Sequence, residues 1–286
     1  MPLRLLRKVG LGKATAQAGE NFCIEDYVEL LTELRARGVQ FASLDNPDLA
    51  SASANKTHFI KHDIHHDIVN TVRVAEAEHR LGVRSTFFMM HECAINRKFF
   101  ADRDTWKSLL RMRDMGHAIG LHIDGFDLIE RYGDLRHGVE EARATFAKYG
   151  LEVHLANTHG NSQHQTKFNF ETVNFFKELA RPTQCSDAFW MAHYARYSIP
   201  DLGFRLWADT ALWTPETGEF LLDYFVTDNS QSLTAGRMRL SYWELRGEKW
   251  ELSAGLRARL ADLVSIGSCI YLIHPQFFRP CGARAT

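Results

Sequence analysis

Apolar positions along the chain alternate between two spacings, one typical of strands and one typical of helices. Short β-prone runs predict strands at Thr57–Lys61, Ser85–Met90, Ala118–Leu121, Val153–Thr158 and Cys269–Ile273. Apolar residues three and four positions apart predict helices over Ile24–Arg37, from Ile68 onward, around Trp106, from Leu135 to Phe146, around Val173 and around Leu260. Glycines that can end the first four of these helices follow at Gly38, Gly82, Gly116 and Gly150.

The order of these elements predicts the fold class. Strands that alternate with helices form parallel βαβ units, so we expect an α/β fold. Residues 183–250 are less regular and rich in aromatic side chains, with predicted strands near Phe204–Ala208, Phe220–Val226 and Met238–Leu245. We expect residues 1–20 to be a poorly ordered lead-in and residues 21–286 to form one domain, a size that a single α/β domain can reach.

Histidines follow the carboxyl ends of four predicted strands. These histidine-bearing segments contain His62, His65 and His66, then His122, His159 and His274. In a barrel of parallel strands all carboxyl ends share one face, so these side chains would converge on one pocket. The alternative is that histidine is merely tolerated at strand ends.

The densest polar stretch runs from Lys61 to Asp67 and joins a predicted strand to a predicted helix. Asp63 and His65 are two positions apart, so on an extended chain they point to the same side. A carboxylate and an imidazole on one side suit a general base beside a metal ligand. The alternative is that Asp63 caps the next helix, but Asp67, directly before Ile68, is better placed to do so.

The next strand carries two histidines that cannot both face one site. His117 and His122 are five apart and point in opposite directions, so His117 is interpreted as structural and His122 as a candidate metal ligand. Asp124 is either an oxygen ligand for that metal or an exposed carboxylate in a turn.

Later segments add candidates for proton transfer and substrate binding. His159 either reaches over a pocket from the turn that follows it or stabilises that turn. Pro275 fixes the direction of His274, which suits a general acid for a leaving group. Asp209 could orient a catalytic imidazole or hold substrate, and Trp213 either stacks on a sugar face or packs in the core.

Composition narrows the function and the location. The chain is 45% hydrophobic and 24% charged with a net charge of −1, so nothing in its electrostatics favours a nucleic-acid or membrane partner. Its five cysteines lack CxxC spacing, which argues against a disulfide framework and a cysteine zinc site. No apolar run is long enough to span a membrane, and the basic N-terminus lacks the apolar core of a signal peptide, so we expect a cytoplasmic protein.

Five segments, taken together and in order, resemble the motifs of the polysaccharide deacetylase family, also called NodB-homology or carbohydrate esterase family 4 proteins. The first is most similar to a divergent branch that reads Arg-His-Asp-Val-Asp at this point. The segments are Lys-His-Asp-Ile-His (61–65), Ser-Thr-Phe-Phe (85–88), Gly-His-Ala-Ile-Gly-Leu-His (116–122), Thr-His-Gly-Asn (158–161) and Leu-Ile-His-Pro (272–275).

The resemblance implies a distorted (β/α) barrel of about seven parallel strands that binds a divalent metal, usually zinc. By motif, Asp63 would be the general base that deprotonates the attacking water, and His274 the general acid. His65 occupies the position of a metal-binding aspartate, and His122 that of the first metal histidine.

The sequence departs from the family pattern at the second metal histidine. That position, four after His122, is Phe126, which cannot bind a metal. Three nearby residues could replace the lost ligand: Asp124, His66 and His159.

Three functions follow from these observations. The first is a metal-dependent hydrolase that removes an acetyl group from an N- or O-acetylated carbohydrate. The second is a non-catalytic carbohydrate-binding relative that has lost the metal, which Phe126 motivates. The third is a hydrolase of other non-peptide C–N bonds, such as cyclic amides.

Overall fold

A computed structural model describes most of the region expected to form the domain. Its described residues are 23–45, 47–49, 51–94, 96–159, 196–209, 221–228, 240–245, 249–251, 260–262 and 264–278. The predicted helix around Val173 and the candidate Trp213 lie outside these ranges.

Strands and helices alternate through the first half of the chain, as predicted. The helices are α1 (Ile24–Ala36), α2 (Ile68–Arg80), α3 (Arg97–Ala101), α4 (Arg103–Asp114), α5 (Gly125–Tyr132) and α6 (Leu135–Lys148). The strands are β1 (Gln40–Ala42), β2 (Thr57–Ile64), β3 (Thr86–Met90), β4 (Ala118–Ile123), β5 (Leu155–Thr158), β6 (Leu206–Trp207), β7 (Tyr224–Asp228), β8 (Leu240–Glu244), β9 (Lys249–Glu251) and β10 (Cys269–Leu272).

The junction between β2 and α2 differs from the sequence prediction in one respect. Strand β2 continues to Ile64, three residues beyond the predicted end at Lys61, so Asp63 lies within the strand. Asp67 caps α2 as predicted, since its side chain accepts a hydrogen bond from the backbone N–H of Asn70 at 3.1 Å. Asp63 is therefore not needed as a helix cap.

Seven strands run parallel along one continuous sheet, in the order β6-β5-β4-β3-β2-β10-β7. The last strand of the chain, β10, lies beside β2, so neighbours in the sheet follow chain order around a ring. No pairing joins β6 to β7 within the described ranges, and β8 and β9 extend the β7 edge in antiparallel fashion. The sheet is thus a curled half-barrel, which confirms the predicted distorted (β/α) barrel.

Alternation along β2 separates two layers of the core. Ile60 and Ile64 pack with the helices in an outer layer that includes Leu34 and Val74. Phe59 packs instead in an inner layer, which includes Phe88, Leu155 and Ile270 from other strands. The inner face of β2 therefore points into the barrel, and Lys61 and Asp63 share that face with Phe59.

Two further features bear on where the protein resides. Within the described ranges, no helix has both the length and the apolar character needed to span a membrane. Cys23 is disulfide-bonded, whereas Cys93 and Cys269 are free. The expectation from the sequence concerned a framework of several disulfides, which one bonded cysteine does not test.

Candidate metal centre

Four imidazole rings meet at the carboxyl end of the barrel. The ring of His65, just after β2, lies 5.2 Å from that of His122 at the end of β4. It lies 5.0 Å from the ring of His159, after β5, and 5.5 Å from that of His274, after β10. The four strand ends thus bring together histidines that are as much as 209 positions apart in the sequence.

Three of these histidines form a group that could hold a metal ion. One ligand atom each from His65, His122 and His159 lies within 4.8 Å of the others. Nε2 of His65 and Nδ1 of His159 are buried and have no hydrogen-bond partner. Buried polar atoms are nearly always paired, so two unpaired nitrogens in one cluster fit the donor set of a metal.

The protonation of these histidines also fits metal binding, which needs a neutral imidazole. Burial, followed by the charges of the neighbouring histidines, lowers the pKa of His65 to about 2. Burial likewise lowers the pKa of His122 well below its usual value, helped by the charge of His159. Both rings are therefore neutral at pH 7.

Asp63 lies beside this group and is connected to it by a buried asparagine. Oδ2 of Asp63 is 3.7 Å from Nε2 of His122. Nδ2 of Asn157 donates a 2.6 Å hydrogen bond to Oδ1 of Asp63. Oδ1 of Asn157 lies 2.7 Å from Nδ1 of His122. A carboxylate beside a group of three imidazoles is an arrangement suited to removing a proton from water.

His274 has a different environment from the other three imidazoles. Its Nδ1 lies 2.7 Å from Oδ1 of Asp228, and its backbone N–H donates to Oδ2 of the same carboxylate at 2.7 Å. Burial lowers the pKa of His274, but the charge and hydrogen bond of Asp228 outweigh burial and raise the pKa overall. A histidine that keeps its proton beside neutral imidazoles can act as a general acid.

A buried cation lies deeper in the barrel, on the inner face of β2. Nζ of Lys61 is 3.1 Å from Oδ1 of Asp209, whose Oδ2 accepts a 2.6 Å hydrogen bond from the backbone N–H of Thr158. Burial lowers the pKa of Lys61, but the charges of Asp209 and Asp63 more than offset it, so the pKa is raised. Asp209, which is 6% exposed, has both oxygens engaged with the protein, so it orients Lys61 rather than an imidazole.

The structure uses Asp124 and Phe126 differently from the family pattern. Oδ1 of Asp124 accepts hydrogen bonds from the backbone N–H groups of Phe126 and Asp127, both at 3.1 Å, and so caps α5. Its Oδ2 is 3.7 Å from Nδ1 of His159, and it is not in the metal-binding group. Phe126 is buried in the outer layer of the core. His159 is the third member of the group that could hold a metal ion.

Sequence reasoning missed two polar residues of the site. Asn157 lies two positions before His159 on a predicted strand, so alternation alone places both on one face. Asp228 lies at the carboxyl end of β7, where the histidines of other strands also lie. A search for carboxylates and amides, as well as histidines, at the carboxyl ends of the predicted strands would have found both residues.

Comparison with known proteins returned matches only among solved structures. No family model and no curated protein matches the chain. A peptidoglycan deacetylase, PdaC from Bacillus subtilis, matches at 15% identity and a TM-score of 0.28, over 39% of this chain and 55% of the other. A family 4 acetyl xylan esterase from Clostridium thermocellum, solved with a cobalt ion, matches at 21% identity and 0.27, over 35% and 47%.

A family 4 carbohydrate esterase from Bacillus anthracis matches at 20% identity and a TM-score of 0.26, over 50% of this chain and 63% of the other. In all three matches the chain covers less than two thirds of the other protein's length. These TM-scores are too low for the superpositions to indicate a shared activity.

Proposed function

We propose that the protein is a metal-dependent hydrolase that removes an acetyl group from an N- or O-acetylated carbohydrate. The observation that supports this most is the pair of buried, unpaired nitrogens on His65 and His159, in one group with His122 and beside Asp63. The motif resemblance supplies the acetylated sugar as the substrate class.

The proposed ligands are the imidazoles of His65, His122 and His159, and the proposed cation is zinc. Imidazole suits zinc and several other transition metals, and three histidines with an open position are a known catalytic zinc arrangement. When bound, a divalent cation polarises the acetyl carbonyl and makes a water molecule more acidic.

The protein's own residues would carry the proton transfers. Asp63 takes a proton from the attacking water through Oδ2, because Asn157 already binds Oδ1. The water oxygen then forms a bond to the carbonyl carbon. As the C–N or C–O bond breaks, His274 gives its proton to the leaving amine or alkoxide, and acetate is released. Lys61 remains charged deeper in the barrel, because the charges of Asp209 and Asp63 more than offset its burial.

Substrate contacts and location remain proposals as well. His159 moves from the predicted substrate-binding set to the ligand set, while Asp209 and Trp213 stay as candidates from the sequence alone. The cytoplasmic location stays a prediction.

The test measures acetate release by the zinc-loaded protein from a panel of N- and O-acetylated sugars. We expect turnover in the wild type and a loss of about 10²–10⁴-fold in Asp63→Asn, which keeps the shape of the side chain but cannot act as a base. Sugar binding without turnover, unchanged in Asp63→Asn, would instead identify a non-catalytic binding protein. Turnover of cyclic amides alone would identify the third function.

A further inference from the structure

Asn157 connects the proposed ligands to the proposed base through a single side chain. It lies on β5 directly opposite His122 on β4, and its side chain is fully buried. Both residues point into the barrel, so their contact follows from the register of the two strands. The motif resemblance gives this residue no role.

The two hydrogen bonds of Asn157 determine which way its carboxamide points. The N–H₂ group of Asn157 donates to Oδ1 of Asp63 at 2.6 Å. The carboxamide oxygen then faces Nδ1 of His122, at 2.7 Å. An oxygen in that position requires Nδ1 to carry the proton, which leaves the lone pair of His122 on Nε2.

The tautomer of His122 matters for metal binding, and the hydrogen bond to Asp63 matters for proton removal from water. Nε2 of His122 is the nitrogen nearest Asp63, 3.7 Å from Oδ2, so the lone pair lies on the side of the ring where Asp63 lies. Oδ1 of Asp63 is occupied by Asn157, which leaves Oδ2 to accept a proton from water.

We propose that Asn157 is a positioning residue that sets the tautomer of His122 for metal binding and the orientation of Asp63 as base. This inference rests on the proposed function for its chemical purpose. Its structural content, one carboxamide that fixes one tautomer, can be measured without any substrate.

Two variants separate the two halves of the proposal. Asn157→Asp keeps an acceptor for Nδ1 of His122, but it replaces the N–H₂ donor with a second carboxyl group that shares a proton with Asp63 and so blocks Asp63 as a base. Asn157→Leu has a similar volume and provides neither contact. The first variant should retain the tautomer and lose base positioning, and the second should lose both.

The tautomer is read from two-bond ¹H–¹⁵N correlation spectra of the chelator-treated full chain, with His122 assigned by the signal missing in His122→Gln. We expect Nδ1–H in the wild type and in Asn157→Asp, and a mixture or Nε2–H in Asn157→Leu. Zinc affinity, measured by chelator competition, should fall about 10–100-fold in Asn157→Leu and stay within about threefold in Asn157→Asp. Acetate release should show kcat lowered about tenfold or more in Asn157→Asp, with KM nearly unchanged.

A matched control is Asn96→Leu, because Asn96 is also a buried asparagine, but its side chain bonds to the backbone of Met90, His91 and Cys93 and not to the proposed site. This variant loses stability without moving the His122 tautomer. An Asn157→Leu protein with the wild-type tautomer and zinc affinity would overturn the proposal. A wild type that hydrolyses no acetylated sugar, yet shows the tautomer shift in Asn157→Leu, would remove the proposed function and leave the positioning role standing.

Discussion

Histidines lie on both faces of strand β2, but their hydrogen bonding differs between the faces. The outer face presents His58 and His62 to the helices, and the inner face presents Asp63, with His65 beyond the strand end, to the barrel. Histidine and carboxylate are buried on both faces. The difference is whether each polar atom has a partner.

Every hydrogen-bonding atom that surrounds His62 on the outer face is satisfied. Nε2 of His62 lies 2.8 Å from Oε1 of Glu78, and Nδ1 lies 2.9 Å from the backbone oxygen of Ile273. Both ring nitrogens of His62 therefore have a hydrogen-bond partner. Glu78 also accepts from the hydroxyls of Tyr27 and Ser85. Burial raises the pKa of Glu78, but the charge and hydrogen bond of His62, the charge of His117 and the hydrogen bond from Ser85 outweigh it and keep the pKa below its usual value.

On the inner face, by contrast, some buried polar atoms have no hydrogen-bond partner. Nε2 of His65 and Nδ1 of His159 are buried without a hydrogen-bond partner. The residue type is the same on the two faces, but His65 and His159 are half-buried, whereas His58 and His62 are fully buried. The unpaired nitrogens are therefore what marks the inner face as a candidate metal site.

Removing the carboxylate of the outer cluster should have the largest effect on stability. Glu78→Ala leaves the fully buried His62, and the hydroxyls of Tyr27 and Ser85, without their shared acceptor, which should lower the free energy of unfolding by about 3–5 kcal/mol. Denaturant unfolding measures this, and Glu78→Gln, which keeps most of the volume, serves if the first variant does not fold. A loss below about 1 kcal/mol would show that the outer cluster is not the structural one.

Acid should weaken the fold through His58, by a somewhat smaller amount. The ring is buried, with Nδ1 accepting from the hydroxyl of Tyr271 and Nε2 donating to the backbone oxygens of Val264 and Gly267. Burial outweighs those two carbonyls and lowers the pKa of His58 from 6.5 to about 4. As the pH falls, His58 therefore binds a proton near pH 6.5 in the unfolded chain but only near pH 4 in the folded chain.

The contribution of His58 is thus complete above pH 6.5 and is lost as the pH falls to about 4. The loss is about 3 kcal/mol. Denaturant unfolding at several pH values should show this extra loss in the wild type relative to His58→Gln, which cannot titrate. Parallel curves for the two proteins would contradict the assignment.

The smallest expected effect is on zinc affinity and comes from Gln276, which lies beside His65 on the inner face. Nε2 of Gln276 lies 3.4 Å from Nδ1 of His65, and Oε1 of Gln276 is buried without a partner. Rotating the carboxamide by 180° would place the oxygen against Nδ1, the arrangement that a ligand binding through Nε2 requires. Gln276→Leu should lower zinc affinity about tenfold, or about 1.4 kcal/mol, with unfolding nearly unchanged. Equal affinities in the two proteins would show that Gln276 does not orient His65.

Strand periodicity predicted the features of the site that depend on local sequence. It placed His65, His122, His159 and His274 at strand ends, because alternation and parallel pairing are written into each segment. It could not decide between Asp124 and His159 as the third ligand. That choice depends on α5, an eight-residue helix that starts directly after β4 and uses Asp124 as its cap.

The sequence did not predict contacts between segments that are far apart in the chain. Asn157 acquires its role from the register that sets it opposite His122, which no local pattern specifies. Glu78 occupies a helix position that would ordinarily carry an exposed carboxylate, and only the packing of α2 on β2 reveals its hydrogen-bond partner. Residues that act through neighbours across the sheet are those that sequence patterns predict least well.

The most direct test of the account is zinc binding by the chelator-treated full chain, measured by titration and elemental analysis. Wild type and the outer-face variant His58→Gln should each hold about one zinc ion per chain, and His65→Ala and His122→Ala should hold none tightly. A wild type that binds no transition metal, or four proteins that bind it equally, would contradict the claim that the incomplete inner face is a metal site.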